Sequence, residues 1–321
     1  MFRKQILVIT ACALTLVAHA ELTWVGIKPS ETDPQINTFN TPHWICVNEA
    51  VLLGKSEAGI KDRHELLLFL PGTSGHGQGP KEFLETAANL GYHVITLMYP
   101  DDVPAASFRN ARNKDAFEAF RMAIIRGGKT PYITVDRTDS IENRLAKLLL
   151  WLESERPREN WGQFLQGEEI AWEHIAMAGQ SQGGGHAALI AIKHRVARVL
   201  MFGAPKDYSI AYDEPAAWYA ETPATPLRRF FAINHMQDRQ GCDFRQQLKN
   251  LAALKMDRLG APVDVDNEDP PYRHSRILIT NYPGTPVDSK TAHGTAIGNR
   301  HKAVFLPVWN YLLTEPTGDE K

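Results

Sequence analysis

The sequence predicts an α/β protein in which a mostly parallel sheet is covered by helices. Two observations predict it. Apolar runs of strand length alternate with longer amphipathic segments along most of the 321 residues. The stretch HIAMAGQSQGGGHAALIA, 174–191, then runs from an apolar segment through a glycine-flanked serine into small and apolar residues suited to a closely packed helix.

The elements follow in order. ELLLFLPG at 65–72 reads as a buried strand, and the glycine-rich LPGTSGHGQG at 70–79 as the loop after it. Pro80 opens a helix whose Phe83, Leu84, Ala87, Ala88 and Leu90 share one face, with Gly91 as its stop. YHVITLMYP is the next strand, so strand, loop, helix and strand make one βαβ unit. Segment 103–138 is mixed and charged and reads as a helical excursion over the sheet. DSIENRLAKLLLWLESERP is a firmer helix, with Asp139 and Glu142 at capping-box spacing, a stripe of Leu145, Leu148, Leu149 and Leu152, and Pro157 as its end. RVLMFGAP, RRFFAINH and SRILITNYP are further strands, and KAVFLPVWNYLLTE is the terminal helix. Between the first two of these strands lies 206–226, rich in aromatics and proline and too irregular for a core helix.

Residues 1–20, MFRKQILVITACALTLVAHA, combine a basic start, a short apolar run and Ala18-His19-Ala20 before Glu21, the pattern of a cleaved secretory signal. The run is too short for a membrane span, so the expectation is an exported single domain, 21–321, in the periplasm or outside the cell. Removing the leader takes Arg3 and Lys4 from 35 basic residues against 37 acidic, leaving a net charge of −4. Nothing in that balance favours nucleic acid or an anionic membrane. Cys12 leaves with the leader, and Cys46 and Cys242 remain as a possible disulfide in an oxidising compartment.

Ser181 sits where a strand ends at Gly179 and a helix begins, within G-x-S-x-G. Such a turn strains the central residue and pushes its hydroxyl out at the carboxyl edge of the sheet, where α/β proteins hold ligands. A serine hydroxyl is a weak nucleophile at neutral pH, so the chain must also supply a base, an acid that orients it and donors for an oxyanion. Loop 70–79 offers backbone donors, with Thr73 the first choice and Ser74 next, and the Gln182 amide is the second donor. It lacks the lysine and Ser/Thr of a phosphate loop. Asp238, just past the strand that starts near Arg229, is the acid, and Asp207 competes from the strand before. His293, in a loop after the last strand, is the base; His301 competes at the start of the terminal helix. Asp264, Asp266, Glu268 and Asp269 fail the EF-hand spacing, and no H-E-x-x-H or Cys/His ligand spacing occurs, so no metal is expected.

GQSQGG, the LPGT loop, HMQD and AHG, in that order, resemble the α/β-hydrolase superfamily, and the set is similar to a group of secreted bacterial serine hydrolases. The resemblance covers nearly all of the chain after the leader. It implies about eight strands with helices on both faces, acyl transfer through a serine ester, and no cofactor. Superfamily members often carry a cap, which makes 103–138 and 206–226 possible cap segments and Trp218 and Tyr219 candidate substrate-binding residues. The expected partner is then a small-molecule ester, less readily an amide. A binding protein on the same scaffold without turnover is the alternative. LPGTSG stands where the superfamily commonly has His-Gly, which leaves the identity of the amide donors open.

Overall fold

The computed structural model describes residues 22–318; the leader and Cys12 lie outside the described residues. A nine-stranded sheet runs through the molecule. Its strands are β1 (Leu22–Ile27), β2 (His43–Asn48), β3 (Leu66–Leu70), β4 (His93–Thr96), β5 (Ile175–Gln180), β6 (Arg198–Phe202), β7 (Phe230–His235), β8 (Val263–Asp264) and β9 (Ile277–Thr280). They lie in the order β1-β2-β4-β3-β5-β6-β7-β9-β8. β2 is antiparallel to both β1 and β4, and every other pairing is parallel. The ninth strand, beyond the expected eight, is the two-residue β8 at the edge.

The parallel strands are apolar because helices cover both faces, so both sides of each strand are buried. β3 shows the period of two: Leu66, Leu68 and Leu70 enter one core, and Leu67 and Phe69 the other. Against the first core pack α2 (Ala116–Arg126), α3 (Ile141–Glu155), α4 (Gln182–Lys193) and α5 (Phe244–Ala253). Against the second pack α1 (Lys81–Asn89) and α7 (Lys302–Thr314), and the short α6 (Ser289–Gly294) precedes α7 in the chain.

Several features add to the sequence reading or correct it. β1 and β2 carry no clear alternation in sequence yet pair over six residues. The cap of α3 is Ser140, which accepts from the Asn143 amide, because Asp139 is taken up by a 2.6 Å contact with Arg144. Segment 103–138 contributes α2, whose Phe117, Phe120 and Ile124 belong to the first core. Cys46 and Cys242 are separate buried thiols. Cys46 lies on β2, and Cys242 lies in the segment after β7, five strand positions along the sheet. Burial pushes both thiols up to about 12. Among the described residues no helix is long and apolar enough to cross a membrane.

Candidate active site

Ser181 adopts φ 54° and ψ −117° between β5 and α4, a conformation that costs of order 1–3 kcal/mol for a residue with a side chain. The two glycines of the motif make the turn possible through close approach. A Cβ on Gly179 would lie 2.4 Å from the Gly183 carbonyl carbon, and one on Gly183 would lie 2.0 Å from the Leu70 oxygen at the end of β3. The turn is thus pressed against the β3 loop, and the Ser181 amide is fixed by a 2.9 Å bond to the Phe202 oxygen of β6.

His293 arrives on α6, a helix where a loop was expected. Asp288 caps it, accepting from the Lys290 and Thr291 amides at 3.0 Å each. The imidazole Nδ1 lies 2.8 Å from Asp238 Oδ2. Asp238 follows β7 and is almost fully buried. It accepts from the Gln240 amide at 2.8 Å, from Lys206 Nζ at 2.8 Å and from Gln247 Nε2 at 3.2 Å. Burial alone would raise the Asp238 pKa, but the His293 bond and the Lys206 charge outweigh it and hold the carboxyl below its usual value. Burial is also the largest influence on His293, and there it acts downward; the Asp238 bond opposes it, and the Lys206 charge reinforces it. The imidazole is therefore held below its ordinary 6.5 and is neutral at pH 7. With Nδ1 facing a carboxylate, the neutral ring carries its proton there and leaves Nε2 as the basic atom.

Ser181 and His293 line one cavity of about 500 Å³, together with Thr73, Gln182, Lys206 and Lys290. No hydrogen bond joins Ser181 to the imidazole in this structure. Among the described residues the Thr73 and Gln182 amides have no protein acceptor, whereas Ser74 donates to the Asp101 oxygen and Gly75 to the Asp101 carboxylate. That separates Thr73 from Ser74 as a free donor. The Thr73 hydroxyl is tied at 3.1 Å to Gln182 Oε1, which also accepts from the Ala105 amide at 2.7 Å. The two residues whose amides face the serine are thus linked by a hydrogen bond between their side chains.

Trp218 and Tyr219 do not line the cavity. Both are core residues, and both brace Asp207: Trp218 Nε1 donates to its carboxylate at 3.0 Å, and its amide donates to the Tyr219 hydroxyl at 2.9 Å. Asp207 in turn holds Arg121 in a two-pronged contact, each prong 2.6 Å. His301 does not line the cavity either; its ring packs against Tyr282. The sequence alone does not single out Lys206, Gln247, Arg121 or Lys290. Lys206 alone had a readable signal, since it follows a strand end at the sheet edge where α/β sites form. Among the described residues, no three His, Cys, Asp or Glu side chains gather as a metal site.

No family model matches the chain, and no curated protein does. Distant likenesses exist among solved structures. An S-formylglutathione hydrolase from Staphylococcus aureus is 9% identical with a TM-score of 0.44, over 92% of this chain and 98% of that one. A lipase/esterase from Lactobacillus plantarum is 12% identical with a TM-score of 0.38, over 82% and 89%. The Pyrococcus horikoshii acylaminoacyl peptidase is 12% identical with a TM-score of 0.45, over 94% of this chain and 43% of that one. The strand order, the antiparallel second strand and the serine on the turn after β5 carry the assignment themselves: the chain has the α/β-hydrolase fold.

Proposed function

We propose that the protein is a serine hydrolase that cleaves carboxylic esters through an acyl-enzyme. Ser181 attacks the ester carbonyl while His293 Nε2 accepts its proton, and Asp238 holds the imidazole in that tautomer and stabilises the imidazolium that forms. The Thr73 and Gln182 amides receive the oxyanion. The imidazolium then passes its proton to the departing alcohol, and water repeats the sequence to release the acid and restore Ser181. The observation that carries this reading is the 2.8 Å His293–Asp238 contact on the wall of the same cavity that Ser181 lines from its strained turn.

Fluorophosphonate labelling tests it. Wild type labels within minutes and hydrolyses 4-nitrophenyl esters, whereas Ser181→Ala stays folded, does not label, and loses turnover by about 10⁴–10⁶-fold. Labelling or turnover that survives in a folded Ser181→Ala protein would overturn the assignment. We propose in addition that the enzyme is exported with cleavage before Glu21, on the leader pattern of residues 1–20; N-terminal sequencing of the mature protein checks this.

A further inference from the structure

The cleft at Ser181 has two lobes of different character. Beside the 500 Å³ cavity lies a second of about 280 Å³, and the two share Gly72, Thr73, Gln180 and Gly294. The smaller lobe is walled by Phe69, Pro71, Pro80 and Ile297, with no Lys, Arg, Asp or Glu on its lining. All the Lys, Arg, Asp and Glu side chains that line the cleft face the larger lobe: Arg121, Lys206, Asp207 and Lys290.

These charges do not balance. Arg121 is matched by Asp207, and Lys206 by Asp238 behind His293. Lys290 is matched by nothing among the described residues. The nearest acid in sequence, Asp288, spends its oxygens on the Lys290 and Thr291 amides and the Thr291 hydroxyl at the start of α6. Lys290 also stands three residues before His293 on the same helix, a spacing that puts both on one face. The helix that delivers the imidazole therefore delivers an uncompensated cation to the same lobe.

We propose that the substrate is an ester bearing a carboxylate, which sits in the larger lobe with Lys290 as its counter-ion, while its uncharged part occupies the smaller lobe. This rests on the hydrolase reading above. Lys290 is a specificity-determining residue here, acting on the anion and not on the reacting bond. An ion pair in a lobe that substrate closes to water is stronger than an exposed one, because the local dielectric falls.

The test compares matched ester pairs that differ in one charge. In the acyl arm, 4-nitrophenyl hemiadipate is set against 4-nitrophenyl methyl adipate. In the alcohol arm, 4-carboxyphenyl butyrate is set against its methyl-capped twin. The ratio of kcat/KM for the charged ester to that for the neutral one should fall about tenfold in one arm in Lys290→Ala. It should fall further in Lys290→Glu, stay near wild type in Lys290→Arg, and shrink in wild type as salt is raised. The arm that responds identifies which side of the ester carries the anion. An active wild type whose ratios are unchanged by Lys290→Ala and Lys290→Glu in both arms would overturn this inference and leave the hydrolase reading intact. A wild type that neither turns over esters nor labels at Ser181 would sink both.

Discussion

Asp207 and Asp238 follow adjacent parallel strands and are buried alike at 1% exposure; Asp207 lines the cavity and Asp238 stands behind His293, yet they do opposite things. Asp207 is clamped by a guanidinium: one oxygen takes Arg121 Nη2, and the other takes Arg121 Nε and Trp218 Nε1. Asp238 instead faces an imidazole, a lysine and an amide, and one of these partners can gain a proton. Asp207 is clamped on both oxygens by a guanidinium, which stays charged at any working pH, so it has no titratable partner to orient. What separates a structural acid from a reactive one is therefore its partners, and burial does not distinguish them.

The comparison can be broken from either side. Asp238→Asn should cost about 10⁴-fold in kcat, the size seen when an amide replaces a triad carboxylate and the wrong imidazole tautomer results, with fluorophosphonate labelling slowed in parallel. Asp207→Asn should instead cost about 3–5 kcal/mol in urea unfolding, because Arg121 is left buried without its counter-charge, while kcat per folded molecule stays within a few-fold. Equal losses of turnover in both folded variants would erase the distinction. Tyr219→Phe removes only the hydroxyl that accepts from the Asp207 amide. A destabilisation of about 1–3 kcal/mol is expected for the orphaned buried donor, with no change in relative rates among esters; altered selectivity would return this residue to the substrate pocket.

The smallest effect concerns pH. His293 must be neutral to act as a base, so kcat/KM should rise with pH through its folded pKa, which lies below 6.5, and then level off. Lys206 is among the groups pushing that pKa down. Lys206→Met should therefore move the acid limb to higher pH. A limb that stays in place would mean that the lysine charge does not reach the imidazole. The stability consequence has the same sign: a histidine whose folded pKa is depressed favours the folded state above the unfolded pKa, and that contribution is lost as pH falls below 6.5. His43, lowered by burial to about 3, and His186 share this behaviour.

The serine turn was legible because its chemistry is steric: glycines at 179 and 183 stand where backbone meets backbone, and the sequence writes that down directly. The apolar strands and three of the longest helices were legible for the same local reason. Asp238 and Asp207 could not be told apart by local signals, since the deciding partner of Asp207 lies 86 residues away. Trp218 and Tyr219 misled because an aromatic, proline-broken stretch looks the same whether it lines a pocket or fills a core. The helix under His293 reads as a loop in the sequence because six residues, SKTAHG, are too few to show a helical period. Lys290 gave no signal at all: an exposed lysine matters only once its missing counter-charge is known.

The crowding around Ser181 also sets where this molecule can be rebuilt. At Gly183 an added methyl would meet the Leu70 oxygen, and at Gly185 it would meet the Arg121 guanidinium at 2.3 Å, so neither position accepts any other side chain without moving a strand or a buried ion pair. A saturation library across 179–185 should return little beyond the parent sequence. The adaptable ground lies at the rim, at Ala106, Gln240 and Lys290, where side chains border the cleft without bearing on the turn. Directed evolution toward a new substrate would have its room there.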